Sequence, residues 1–170
     1  MQNAVPKGEG GMVAVLGSTV DIIEKILKDH KNDNTVEIAN DNSDGQIVLS
    51  GKNVDLDTLI KVLKNNNIKN IKLPVSAPLH CKLMNKATEV MKKEIETVNF
   101  QDSNISLISN VTANEIKDKN ELKELLIKQV ENRVRWRESV INMIDKNINQ
   151  FIEIGPGKVL SGLIKRINKS

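Results

Sequence analysis

Tyrosine is absent, and the other aromatics in 170 residues are one tryptophan and two phenylalanines: Trp136, Phe100 and Phe151. Stacking platforms for single-stranded nucleic acid are therefore nearly missing. The formal net charge of +3 is too small to argue for a nucleic-acid partner, yet it would not repel an acidic protein. A single cysteine, Cys81, excludes an intrachain disulfide and a cysteine-built metal cluster. No metal and no cofactor are expected. No apolar run approaches the ~20 residues that a membrane helix needs, so no membrane partner is expected. The segment from Met1 to Gly8 has no apolar signal core, and the expectation is a cytoplasmic chain.

What is present is a globular composition, 39% hydrophobic and 28% charged, in a chain long enough for a sizeable core. Residues 1–11 are glycine-rich and aperiodic, which reads as a connecting segment. Met12–Leu16 reads as a strand. Ser18 with Asp21 resembles a capping box before Ile22, Ile23, Ile26 and Leu27 at helical spacing. Val36–Ala39 and Gln46–Leu49 read as strands joined by the turn signal Asn42-Ser43-Asp44-Gly45. Asp55 is placed to cap a helix carrying Leu59, Ile60, Val62 and Leu63, and Ile71–Val75 reads as a further strand. This β-α-β-β-α-β order over residues 12–75 is the ferredoxin-like pattern.

Residues 76–170 read differently. One long amphipathic helix carries Leu83, Ala87, Val90, Met91, Ile95 and Val98. A strand follows at Ile105–Ser109. A helix that Asn120 would cap comes next, then another beginning at Trp136, a strand at Phe151–Ile154 and a last helix through Ile167. Two strands separated by helical crossovers imply a parallel sheet. Such a sheet needs more strands than this segment holds. The second unit is therefore expected to be part of a larger α/β domain.

Two histidines are candidates for chemistry. His30 ends a Lys/Asp-rich helix and reads as solvated surface. His80 lies in Pro74-Val75-Ser76-Ala77-Pro78-Leu79-His80-Cys81, between a strand and a helix and stiffened by two prolines. A rigid loop with one imidazole suits a general base, while a capping or packing histidine fits the same pattern. Gly155-Pro156-Gly157-Lys158 lacks full P-loop spacing and reads as a plain turn. Arg133, Arg135 and Arg137 read as a solvated helix start.

The segment Pro74–Met84 resembles the histidine motif of malonyl-CoA:acyl carrier protein transacylases. Val36–Gly51 is similar to the hairpin of that family's small subdomain, and Ile108–Thr112 to its later strand. Gln129 with Val134-Arg135-Trp136 is similar to its Gln…VRW stretch, and Phe151–Ile167 to its C-terminal strand, turn and helix. The resemblance implies a fold of class α/β: a ferredoxin-like subdomain followed by the C-terminal part of an α/β-hydrolase-like core. It implies malonyl transfer from coenzyme A to acyl carrier protein in type II fatty acid biosynthesis, with malonyl-CoA and acyl carrier protein as partners. His80 would be the acid and base, and the backbone carbonyl of Gln129 would orient its ring. Asn40, Asn42 and Gln46 match polar residues near the site. Leu79 stands where acyl size is sensed. Lys158, Lys165 and Arg166 would meet the carrier protein or coenzyme A phosphates.

The family serine belongs to a Gly-x-Ser-x-Gly elbow, and no serine in these 170 residues has that context. Ser50 and Ser161 each precede a glycine but follow Val48 and Val159 at the second position upstream. The family arginine that pairs with the malonyl carboxylate also has no counterpart. Cys81 beside His80 is the one thiol that could substitute, but neighbours on extended backbone point opposite ways. The sequence therefore predicts an incomplete enzyme, inactive alone, with a separate N-terminal half as a further partner. A non-catalytic fragment that binds carrier protein and a decayed gene product are the alternatives.

Overall fold

In the computed structural model, residues 4–30 and 35–168 are described. The first three residues of the expected connecting segment lie outside the described residues. Strand β1 (Gly10–Leu16) begins within that segment. Its alternation puts Val13 and Val15 in one core and Met12 in another, on the opposite face. Helix α1 (Val20–Asp29) is capped by Thr19, whose Oγ1 accepts from the Ile22 amide at 3.4 Å. The expected cap, Ser18, is buried instead. Strands β2 (Glu37–Ser43) and β3 (Gln46–Lys52) form the hairpin. The turn is shorter than expected: Asn42 and Ser43 belong to β2, and Gly45 supplies the left-handed φ of +72°. Helix α2 (Asn53–Asn65) starts ahead of Asp55, so Asp55 is not its cap; it accepts from the Thr35 amide at 2.9 Å. Strand β4 (Lys69–Lys72) stops before the expected Val75, because Pro74 has no amide for the ladder.

The four strands make one antiparallel sheet in the order β2-β3-β1-β4. Helices α1 and α2 cover one face, burying Val13, Ile23, Leu49, Leu56 and Leu63. Each such side chain contributes about 1.5–3 kcal/mol by leaving water. On the other face lie Met12, Ala39 and Val48, with Leu73 and Leu79 packed over them.

A 3₁₀ turn (Lys82–Met84) leads into α3 (Asn85–Thr97). Then come the short strands β5 (Leu107–Ile108) and β6 (Glu115–Ile116), and helices α4 (Lys119–Lys128), α5 (Trp136–Asp145) and α6 (Val159–Ile167). The cap of α4 is Asp118 rather than Asn120, accepting from the amides of Asn120 and Glu121 at 2.9 and 2.8 Å. Glu153 caps α6 from outside the helix. Its carboxylate accepts from the Leu160 and Ser161 amides at 3.1 and 2.9 Å, and the Ser161 contacts hold its carboxyl below the usual range.

The expected parallel sheet does not form among the described residues. β5 pairs antiparallel with β6, and 151–154 is not a strand. A strand needs a neighbour to bond: in the first apolar run Leu107 and Ile108 find one in β6, while 151–154 finds none among the described residues. Ile105, Ile152 and Ile154 are accordingly 78, 77 and 94% exposed.

The two regions are stitched together at β2. Val134 donates to Ala39 O at 2.8 Å and accepts from the Asp41 amide at 2.9 Å, a parallel bridge at Asn40. Among the described residues, no helix is long and apolar enough to cross a membrane.

Candidate functional site

The loop after β4 is seated at both ends. Pro78 is buried against β1, where a Cβ on Gly10 would meet the proline ring at 2.5 Å. Cys81 is fully buried as well. Between them, Leu79 packs against both Met12, Ala39 and Val48 on the sheet and Met84, Ala87 and Val130 beyond it. His80 is half-buried and takes a φ of +58°. That left-handed conformation costs a residue with a Cβ about 1–3 kcal/mol, although histidine tolerates it better than most.

His80 Nδ1 lies 2.9 Å from the carbonyl oxygen of Gln129. Gln129 is the C-cap of α4, and carbonyls in a last helical turn have no partner within the helix. A carbonyl only accepts, so Nδ1 carries the proton and Nε2 keeps its lone pair. The arrangement can therefore take a proton at Nε2 and return it. Asn110 buttresses the far side: its side-chain amide donates to Gln129 Oε1 at 3.5 Å, and its carbonyl accepts from the Arg135 amide at 2.8 Å.

Of the other expected site residues, Asn40 stands opposite Val48 on β2, and Asn42 is half-buried further along the strand. The Gln46 side chain accepts from Arg166. Among the described residues, none of Asn40, Asn42 and Gln46 hydrogen-bonds to His80 or Gln129. Lys158 and Lys165 are exposed, the first at the N-terminus of α6 and the second in its last turn. Arg166, expected to be free for a partner, is engaged with Gln46.

The arginine-rich start of α5 is not simply solvated. Arg133 pairs with Glu24 at 3.0 Å, and Arg135 with Glu138. Arg137 grips Asp41 with Nε at 3.1 and 3.0 Å from the two carboxylate oxygens and Nη2 at 2.9 Å. The Asp41 side chain is only 2% exposed. This pairing holds the guanidinium of Arg137 above its ordinary pKa. A contact between residues so distant in sequence left no signal in composition or spacing. His30 is exposed, and its Nδ1 lies 2.9 Å from Ile26 O. Burial pushes the Cys81 thiol up, which is the opposite of an activated nucleophile. Among the described residues, no group of three or more His, Cys, Asp or Glu side chains is placed to hold a metal ion.

Residues 1–170 match the family model described as an acyl transferase domain. The malonyl CoA-acyl carrier protein transacylase of Bacillus subtilis is 40% identical over 171 aligned positions, 99% of this chain and 54% of its own length. Its Staphylococcus aureus counterpart is 39% identical and covered to 56%. The crystal structure of the Clostridium perfringens malonyl CoA-acyl carrier protein transacylase superposes with a TM-score of 0.96 at 41% identity, over 99% of this chain and 54% of that one. A structure of a type II PKS acyl-carrier protein in complex with its malonyl-transacylase matches with a TM-score of 0.93 at 32% identity, over 99% of this chain and 55% of that one. The chain spans about half the length of the curated relatives it matches.

Proposed function

The chain belongs to the acyl transferase domain family, and from that premise we propose that it supplies the acid–base half of a malonyl transfer from coenzyme A to acyl carrier protein. The observation that carries this reading is the 2.9 Å contact between His80 Nδ1 and Gln129 O, in a chain 40% identical to a malonyl CoA-acyl carrier protein transacylase. Nε2 of His80 takes the proton of a serine hydroxyl as that oxygen attacks the malonyl thioester. It then gives the proton to the departing coenzyme A thiolate. In the second half-reaction it takes the proton of the carrier's thiol and returns it to the serine oxygen. The carbonyl of Gln129 keeps the ring in the productive tautomer without adding a charge.

On this reading the serine and its oxyanion donors lie in the N-terminal half of the family, which these residues do not span. Ile105, Leu107, Ile152 and Ile154, apolar and open to solvent, are the surface that such a half would cover. Trp136, whose buried indole nitrogen has no partner among the described residues, lies with Ile108, Phe151 and Leu160 along a cleft of about 330 Å³ at the same place. On this reading residues 12–75 are a ferredoxin-like subdomain inserted into an α/β-hydrolase-like core that 76–170 continues, with 1–11 as the connection. Leu79, Asn40, Asn42 and Gln46 line the acyl side. Lys158 and Lys165 face the carrier protein or coenzyme A phosphates, with Arg166 tied back to Gln46. The reaction is cytoplasmic and feeds type II fatty acid biosynthesis.

The test mixes this chain with an N-terminal half of a malonyl transacylase that carries the serine elbow, then adds malonyl-CoA and holo carrier protein. Malonyl-carrier product from the mixture but from neither half alone supports the reading. Carrier binding without turnover by the mixture overturns it in favour of a non-catalytic fragment.

A further inference from the structure

The turn that presents His80 is closed by a side chain. The Cys81 thiol donates to the carbonyl of Pro78 at 3.1 Å. From the sheet side, the hydroxyl of Ser50 on β3 donates to the same sulfur at 3.6 Å. Ser50 and Cys81 are both fully buried, and Ser50 is opposite Met12 in the sheet. The seat below is equally tight, since Pro78 occupies space that Gly10 leaves open. Cys81 is thus tied at both of its hydrogen-bonding capacities, as donor and as acceptor. Within this turn only His80 adopts a left-handed φ, and only its ring reaches across to Gln129.

The geometry points to Cys81 as the positioning residue of His80: its thiol, backed by Ser50, closes the Pro78–Cys81 turn and sets the backbone from which the imidazole reaches Gln129. This role rests on the reading of His80 as the acid–base group. Burial supports it by keeping the sulfur protonated and therefore a donor. Cys81 touches no reacting atom and acts only through the conformation of its neighbour.

The test is ¹⁵N NMR of the histidine rings in the full chain at neutral pH, with His30 as the internal reference. Wild type is expected to show His80 with its proton on Nδ1. In Cys81→Ala, the ratio of the Nδ1–H to the Nε2–H tautomer at His80 is expected to fall by about three- to tenfold, the worth of one net hydrogen bond. Cys81→Ser restores the ratio, because a hydroxyl donates as the thiol does. Ser50→Ala shifts it in the same direction by less and carries the test should Cys81→Ala not fold. Val140→Ala empties a fully buried site in α5 and is expected to leave the ratio unchanged while lowering stability. A ratio unmoved in Cys81→Ala and Ser50→Ala, or moved as much by Val140→Ala, overturns the positioning role alone. A wild-type His80 with its proton on Nε2 overturns the acid–base reading itself.

Discussion

Removing the guanidinium of Arg137 should cost far more than removing either neighbouring arginine's. The Asp41 carboxylate is 2% exposed and takes three close contacts from Arg137. Arg137→Ala leaves that charge buried beside Ser18 and Ser43, whose hydroxyls already lack partners among the described residues. Breaking a buried pair from one side costs about 3–5 kcal/mol. Arg137 itself is about a quarter exposed, so water enters the vacated space, and the low end, about 3 kcal/mol, is the expected value. For a chain of this size that lowers the melting temperature by about 6–12 °C. The comparator is Arg133→Ala, which loses a pair with Glu24, 55% exposed, at a cost of about 0.2–1 kcal/mol. The double variant Asp41→Leu/Arg137→Met removes both charges and should recover most of the loss. Urea denaturation followed by circular dichroism measures all three. Equal losses for Arg137→Ala and Arg133→Ala would refute the argument that burial of Asp41 sets the magnitude.

Gly10→Ala should destabilise by about 1–3 kcal/mol through overpacking, because the new methyl meets the ring of Pro78 at 2.5 Å; the urea midpoint reads this. Glu115 is held down to about 2 by Lys146, with Ser106 and Lys117 contributing. Its folded value lies below its unfolded one, so its stabilisation is present above about pH 4.5 and is lost as pH falls toward 2. A carboxyl titration by NMR should place the Glu115 midpoint near 2 and return it toward the ordinary carboxylate range in Lys146→Ala.

Local signals carried much of the fold. The helix from Trp136 to Asp145 and the one from Val159 to Ile167 follow from apolar spacing, and the hairpin follows from Asp44-Gly45. Two caps differ from expectation by one or two residues, Thr19 for Ser18 and Asp118 for Asn120, because several adjacent side chains there have capping chemistry; the α2 cap, Lys52, lies three residues before the expected Asp55. The β5–β6 pair was illegible: Glu115 and Ile116 are too short a run to show a period, and the parallel strands expected instead need neighbours that are not found among the described residues. At the site, His80 drew notice from its prolines, but its partner is a backbone carbonyl, which has no residue signature. Gln129 was therefore reachable only through resemblance. The Asp41–Arg137 pair depends on the crossing of α5 over β2, which no local pattern encodes.

In the proposed reaction His80 moves the protons of a malonyl transfer. The most direct test compares wild type with His80→Ala, each paired with the same serine-bearing N-terminal half, by the initial rate of malonyl-carrier formation. A loss of about a thousandfold is expected, within the range for a general acid and base, with pairing of the halves unchanged. Comparable rates for the two proteins would contradict it and move the chemistry away from this histidine.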